Sequence, residues 1–368
     1  MDIAIAGFPL AGKTTVFNAL AHARADVQTF GASSSPNLAT VKVPDERIEK
    51  LATVFKPKKI VPAEVRYVDV AGWQPPDEGE RRVAESIPAA VLASLRQADA
   101  LLLVVRSFAN ETVPLARSQV DPVADARSLA EELLLADLMV IERRQERLDR
   151  ELKSAPAAER AAKASEFEIM KRLRDELSAG RPARVIELTP DEEKMLRGYG
   201  LLSLKPTIFI VNGDDDLAGA GDVVKAIEAA QPFPKSAALA LPGRLEMELG
   251  EMDPAEAAEF REELGAGESA VGNVVQTCYR LLERMSFLTA GEDECRAWEI
   301  RTGATAVEAA GAIHSDLARG FIRAEVINWE DLIAAGGYVE ARKLGKLRSE
   351  GKTYVVRDGD VLTILFNV

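Results

Sequence analysis

The sequence predicts an α/β protein: a doubly wound sheet entered through a phosphate-binding loop, an inserted pair of long helices, and a small β-rich module at the end. Three observations carry this reading. Gly7-Phe8-Pro9-Leu10-Ala11-Gly12-Lys13-Thr14 fits the P-loop pattern of two glycines, a lysine and a hydroxyl, set between an apolar run and a helix-like segment. From Asp121 to about Leu196 the texture changes to segments dense in Leu, Ala, Glu and Arg with no strand-like run. From about Phe287 short strand-like stretches return around an Asp-Gly turn.

Taken in order, Asp2-Ile3-Ala4-Ile5-Ala6 is an apolar run suited to a buried parallel strand, and Thr15 to His22 reads as a helix with Val16, Phe17 and Leu20 inward. Strands are expected at Thr40–Val43, Glu64–Val70 and Ala100–Val105, with a helix from Arg81 to Leu95. In the insertion, Leu129, Leu133, Ala136 and Val140 keep a spacing of four, three, four, and Met170, Leu173 and Leu177 repeat it. Two antiparallel helices joined near Ser154-Ala155-Pro156 would pair these stripes as a coiled-coil hairpin. Glu142, Arg143, Arg144, Glu146 and Arg147 then form its solvated face, with nucleic-acid binding as the competing reading. Strands at Thr207–Val211 and Ser236–Leu241 around a helix at Val223–Ala230 resume the first domain. The last module is expected to hold strands at Arg296–Thr302, Ile322–Val326, Thr353–Val356 and Val361–Phe366 and a helix at Val307–Ile313, with Asp358-Gly359 turning a hairpin.

The chemistry follows from the first motif. A glycine-permitted loop points backbone N–H groups inward at phosphates, and the following helix adds its positive N-terminal end. Gly7, Phe8, Pro9, Leu10, Ala11, Gly12, Lys13, Thr14 and Thr15 are therefore the expected nucleotide-binding residues, with Lys13 reaching the β and γ phosphates and Thr14 ligating Mg²⁺. Asp69-Val70-Ala71-Gly72 matches DxxG, in which the aspartate backs the metal and the glycine N–H senses the γ-phosphate. Lys13, Thr14, Asp69 and Gly72 form the expected catalytic set. The polar stretch Thr29–Asn37 stands where a switch I loop belongs, and Ser33, among Ser33, Ser34 and Ser35, is the favoured third metal ligand. Asn212-Gly213-Asp214-Asp215 ends a strand where a base-reading motif would lie. Asn212 and Asp215 have the right spacing, but the lysine that packs along guanine is missing, so the bound nucleotide is ATP or GTP. Trp73 follows DxxG where Ras-like enzymes carry a water-orienting glutamine, so turnover on the order of 10⁻⁴ to 10⁻² per second is expected. Gln74 stands one residue late.

Composition narrows the classes. With 368 residues the chain should form two or three domains, and a net charge of -13 argues against a dedicated nucleic-acid-coating protein. Cys278 and Cys295 have neither metal-ligand nor CxxC spacing, which fits a reducing compartment. The chain enters the first strand with no basic, cleavable leader and has no run of about 18 apolar residues, so a cytoplasmic monomer without membrane contact is expected.

With these residues in view, the chain resembles the YchF or Obg-like ATPase family of Obg-related translation-factor P-loop NTPases. The resemblance runs through GFPLAGKTTVFNAL, VPDERIEKLATVFKPKKIVPAEVRYVDVAG, VDPVAD and LKPTIFIVN, and is closest in FLTAGEDECRAWEIRTGATAVEAAGAIHSDLARGFIRAEVINWEDL and EGKTYVVRDGDVLTILFNV. It implies a G domain over 1–120 and 198–284, an inserted helical coiled coil over 121–197, and a ubiquitin-like TGS domain over 285–368. It further implies slow hydrolysis of ATP, often in preference to GTP, in the cytosol, and association with the ribosome or a ribosomal subunit.

Several positions depart from the family pattern. Asp215 stands where the family often has Glu, Pro242-Gly243-Arg244 replaces a Ser-Ala-Lys-like turn, and Asn110–Val120 lacks the family's loop histidine, with Leu115 near its position. Of the two histidines, His314 lies in the TGS-like segment, where a structural or ribosome-facing role is expected, and His22 lies away from the phosphate motifs. Arg342, Lys343, Lys346, Arg348 and Lys352 form the densest basic group, either a solvated face or an RNA contact, and the helical insertion is the other place for such a contact. The leading expectation is a nucleotide-dependent switch. A nucleotide-binding scaffold with little hydrolysis is the alternative, and a small-molecule kinase ranks third.

Overall fold

The computed structural model describes residues 1–22, 25–28, 37–74, 87–114, 119–264 and 269–367. They divide into two units, Met1–Thr40 with Arg66–Val274, and Val41–Val65 with Val275–Val368.

The first unit opens with β1 (Asp2–Ala6), α1 (Lys13–His22), β2 (Ala25–Gln28) and β3 (Asn37–Lys42). Next come α2 (Glu46–Phe55) and β4 (Lys59–Val61), whose residues belong to the second unit. The first unit then continues from Arg66 within β5 (Glu64–Asp69) through α3 (Ala89–Gln97), β6 (Ala100–Arg106), α4 (Pro122–Ser154), α5 (Ala157–Ser178), α6 (Pro190–Leu196), β7 (Thr207–Asn212), α7 (Ala220–Ala230), β8 (Ser236–Leu241), α8 (Gly243–Glu251) and α9 (Pro254–Glu263) to the first turn of α10 (Ala270–Leu281), whose residues from Val275 on belong to the second unit. Its seven strands run in the order β2-β3-β5-β1-β6-β7-β8. β1 lies parallel to both β5 and β6, and β6, β7 and β8 are mutually parallel. The chain order reverses beside β1, which puts the loop after it at a switch point of the sheet, where open α/β sheets bind ligands. β6 and β7 are buried along their whole length, which is why they read as continuous apolar runs and not as alternating ones.

The long helices depart instructively from the expected pairing. α4 starts on an Asp121 side chain that accepts from the Ala124 N–H, with Pro122 in the first turn where no N–H is needed. α4 and α5 pack antiparallel, since Arg144 meets Glu166 while Glu151 meets Lys163. The stripe Leu129, Leu133, Ala136 is not their seam: it packs under the sheet with Leu103, Phe209, Val211 and Ile227. The seam is Leu134, Ile141 and Leu148 against Ile169, Met170, Leu173 and Leu177. Both stripes keep helical spacing on one helix, so periodicity alone could not say which neighbour each would meet. Arg144 is also not a solvated charge: its guanidinium spans both oxygens of Glu166 at 2.7 and 2.8 Å. At the other end, buried Asp137 accepts from the N–H groups of Leu202 and Ser203 and from the Ser203 hydroxyl, tying α4 to the turn before β7.

The second unit adds β9 (Arg284–Ala290), β10 (Glu294–Arg301), α11 (Ala306–Ile313), α12 (Ser315–Arg319), β11 (Phe321–Asn328), α13 (Trp329–Ala335), α14 (Tyr338–Lys343), β12 (Arg348–Glu350) and β13 (Asp360–Phe366). Its six-stranded sheet runs β12-β11-β13-β9-β10-β4. Residues 41–65 contribute the edge strand β4, parallel to β10, and the helix α2, whose Ile48 and Leu51 join Leu288, Cys295, Ile327 and Leu332 in one core. The expected strand at Thr353–Val356 is absent apart from a single bridge from Val355 to Thr305. Asp358-Gly359 does turn the chain, with Gly359 at φ 79°, but β13 then pairs with β11 and β9 and closes no local hairpin. Four of the basic group, Arg342, Lys343, Lys346 and Arg348, face Glu325, Glu340, Asp331 and Glu350 of their own unit.

Candidate functional site

The loop from Gly7 to Gly12 leaves the C-terminal end of β1 and turns into α1, whose first internal bond runs from the Val16 N–H to the Gly12 carbonyl. Its two glycines are dictated by close approach. At Gly7, φ 150°, a Cβ would collide with the Val104 carbonyl oxygen, and at Gly12, φ 86°, it would collide with the Asn212 amide. Leu10 also takes a positive φ of 63° and is half exposed, whereas Phe8 and Ala11 are buried. The loop is thus pinned by its apolar side chains, with its backbone left to face a ligand.

Lys13, Thr14, Asp69 and Gly72 come together as expected. The Lys13 ammonium donates to the Phe8 carbonyl at 2.9 Å. It lies so close to Gly72 that a Cβ there would stand 2.5 Å from it and 3.1 Å from the Gly7 carbonyl oxygen. Burial lowers the Lys13 pKa, and Asp69 opposes that shift. The Thr14 hydroxyl donates to Asp69 Oδ2 at 3.2 Å. Burial raises the Asp69 pKa, opposed by hydrogen bonds from Asn37 and Thr14 and by the charge of Lys13. A hydroxyl and a carboxylate this close are the hard oxygen donors that Mg²⁺ takes from protein, leaving its other positions to phosphate and water. The glycine-lined cradle and the oxygen pair both fit a Mg-nucleotide. Ser33, the expected third ligand, lies outside the described residues, as do Leu115 and residues 81–86 of the helix expected at Arg81–Leu95.

Asn37 joins this group as well: its amide donates to Asp69 Oδ2 at 3.4 Å. Only its place at the end of the polar stretch before β3 hinted at this.

The base-motif pair separates into two kinds of residue. Asn212 is 3% exposed; its Nδ2 donates to the Ala11 carbonyl at 3.0 Å and its Oδ1 accepts from the Gly243 N–H at 3.2 Å. It therefore braces the P-loop against the start of α8. Asp215 is half exposed, 3.8 Å from Arg244. Asp214 accepts from the Ala109 N–H at 3.3 Å, holding the loop after β6. Arg106 organises that same loop, donating to the carbonyls of Phe108, Asn110, Val113 and Pro114 while stacking on the Phe108 ring at 4.5 Å. A charged residue closing an apolar strand was the only sequence signal for it.

Trp73, which follows DxxG, is turned into the core. It is 3% exposed, lies edge-on to Phe8 at 6.2 Å, and donates its indole N–H to Glu132 of α4 at 2.5 Å.

Comparison with known proteins bears on this geometry. The MMR_HSR1 family model, described as a 50S ribosome-binding GTPase, matches residues 2–147, and YchF-GTPase_C, described as a protein of unknown function (DUF933), matches residues 284–367. The ribosome-binding ATPase YchF of Bacillus subtilis is 37% identical over 99% of this chain and 98% of its own. The chain belongs to the YchF family. The Escherichia coli O157:H7 relative of the same name is 35% identical over 99% of this chain and 98% of its own. The solved structure of the Schizosaccharomyces pombe YchF GTPase matches with a TM-score of 0.85 at 28% identity, covering 99% of this chain and 97% of that one. A Pyrococcus horikoshii GTP-binding protein shares the fold, with a TM-score of 0.57 at 18% identity over the full length of both. The α/β fold expected from the P-loop and its strands is the fold of this family. Among the described residues no helix is long and apolar enough to cross a membrane.

Proposed function

We propose that this YchF-family chain is a nucleotide-dependent switch of the cytoplasm that binds ATP with Mg²⁺, hydrolyses it slowly, and couples its nucleotide state to the ribosome. The observation that carries the reading is the convergence of the Lys13 ammonium, the Thr14–Asp69 oxygen pair and Gly72 on one glycine-lined loop at the sheet's switch point. Relatives named ribosome-binding ATPases supply the partner and the reaction class. In the proposed division of labour the backbone of residues 7–15 and Lys13 hold the phosphates, Thr14, Asp69 and Ser33 hold the metal, and the Gly72 N–H meets the γ-phosphate. Mg²⁺, when bound, offsets the charge that develops on the bridging and terminal phosphate oxygens. The chain is read as a monomer in three parts, a G domain over 1–120 and 198–284, a helical insertion over 121–197 and a TGS-like domain over 285–368, with residues 41–65 and 275–284 of the first part belonging to the second compact unit.

Preference for ATP over GTP rests on the base motif. Guanine recognition uses a carboxylate that accepts two N–H bonds beside a lysine that packs along the base; here that lysine is missing, Asp215 lies 3.8 Å from Arg244, and Asn212 is engaged with Ala11 and Gly243. Calorimetry of ATP and GTP with Mg²⁺, with Lys13→Ala as control, tests this. ATP binding at least tenfold tighter, about 1.4 kcal/mol, is expected. Equal affinities would remove the base assignment, and no binding of either would remove the switch.

The second reading, a nucleotide-bound scaffold, draws on Trp73, whose indole is turned into the core where a water-orienting amide would otherwise stand. Single-turnover cleavage with purified ribosomes separates the two: stimulation supports the switch, and a flat rate supports the scaffold.

A further inference from the structure

Trp73 and Glu132 form a connection that the phosphate chemistry does not require. Glu132 is 2% exposed in the first third of α4, flanked there by Leu129 and Leu133, which pack under the sheet. An ionisable side chain in that position costs stability unless it is hydrogen-bonded, and the Trp73 indole N–H meets it at 2.5 Å. The indole is itself clamped, edge-on, by Phe8, the second residue of the P-loop. Its backbone neighbour is Gly72, the residue beside the Lys13 ammonium. One buried side chain of the helical insertion thus fixes the residue next to the expected γ-phosphate sensor.

We propose that Glu132 is a positioning residue for nucleotide hydrolysis: by holding Trp73 it sets the Gly72 amide, and through α4 it links that amide to the α4–α5 hairpin. This rests on the hydrolytic reading above. Three features support a positioning role over mere packing. The bond is directional and joins residues 59 apart in the chain. It ends on the residue that follows the DxxG motif and not on an element remote from the site. And α4 runs on from Glu132 into the hairpin seam at Leu134, Ile141 and Leu148, so a displacement of Gly72 would be transmitted along a continuous helix. Glu132 touches no reacting atom in this scheme, and its contribution is expected in the rate of the chemical step, not in ground-state affinity.

The test compares Glu132→Met, which keeps length and volume without the acceptor, Trp73→Phe, which keeps a ring against Phe8 without the donor, their double variant, and Glu132→Gln, which retains an acceptor oxygen. Mg-ATP affinity is measured by calorimetry and cleavage by single turnover with enzyme in excess. Expected is a fall in rate of about tenfold for each single disconnecting variant, with affinity within about threefold of the parent. The double variant should be no worse than the singles, and Glu132→Gln should recover most of the loss. A tenfold change corresponds to about 1.4 kcal/mol of barrier. Parent-like rates in both single variants would overturn the positioning role, as would equal losses in affinity and rate, or additive losses in the double variant. If the parent chain neither binds nor cleaves ATP, the hydrolytic reading fails and this inference falls with it. If the parent cleaves and the variants match it, only this inference falls.

Discussion

Replacing Asn212 by alanine removes two hydrogen bonds at once, and the structure states what is left behind. The Ala11 carbonyl and the Gly243 N–H, both now satisfied by the one amide, lose their partner in a region where Asn212 is almost fully buried. A buried polar group left unpaired costs about 1–3 kcal/mol, so two such groups cost roughly 2–6 kcal/mol, less whatever water recovers by entering the space of the amide. For a unit of this size each kcal/mol lowers the melting temperature by about 2–4 °C, so a fall of roughly 4–24 °C without nucleotide is expected, toward the lower end where water enters. In the proposed site the loop that Asn212 holds would meet phosphate and not base, so ATP and GTP should lose affinity by similar factors. Asn212→Asp discriminates further, because its carboxylate can accept from Gly243 but cannot donate to Ala11, and it should sit close to the alanine variant. Circular dichroism melting and calorimetric binding of both nucleotides measure these effects. A melting temperature within about 1 °C of the parent, together with an affinity loss confined to one base, would refute the argument and return Asn212 to the role of base reader.

Three other outcomes follow from the same reasoning. Gly72→Ala should weaken Mg-ATP binding by tenfold or more with little effect on melting, since its Cβ would stand 2.5 Å from the Lys13 ammonium, the far end of a flexible side chain that can shift only by leaving its place beside the loop; parent-like affinity in calorimetry would contradict it. Asp137→Ala should lower stability by about 3–5 kcal/mol, because the Leu202 and Ser203 N–H groups and the Ser203 hydroxyl lose a buried acceptor, and urea unfolding should show it as a lower midpoint. Hydrogen bonding from Arg144 holds the Glu166 pKa below its ordinary 4.5. Its contribution is therefore complete above pH 4.5 and is lost as pH falls through the lower folded value. Glu166→Gln should flatten the acid limb of the stability profile there and leave its shape unchanged near pH 7.

The P-loop was legible because its chemistry is local. Glycines at 7 and 12, the lysine at 13 and the hydroxyl at 14 stand as one pattern between a strand and a helix, although the atoms that would meet a Cβ at the two glycines, the Val104 carbonyl oxygen and the Asn212 amide, come from other strands. The same holds for β1, β6 and β7, whose apolar runs announce strands covered on both faces, and for the junction of the long helices at residues 154–156. Asp69 and Gly72 could be placed by their distance along the chain from the P-loop, and the structure brings them to Lys13 and Thr14.

What the linear order could not reveal were choices between equivalent local patterns. α4 carries two apolar stripes, and only packing decides that Leu129 and Leu133 meet the sheet while Ile141 and Leu148 meet α5. Asn212 keeps a base-reading spacing in either role, but its amide can satisfy Ala11 and Gly243 only because β7 and β8 end side by side. Residues 41–65 have no sequence mark of belonging to the C-terminal sheet, because an edge strand's partner is set by a backbone ladder between segments more than 200 positions apart. The sequence by itself determined the kind of ligand loop and the strands that carry it, since those depend on neighbours within a few residues. Tertiary structure alone decided what braces that loop and that Trp73 faces Glu132, since a buried polar group takes whichever partner the folded core brings within reach.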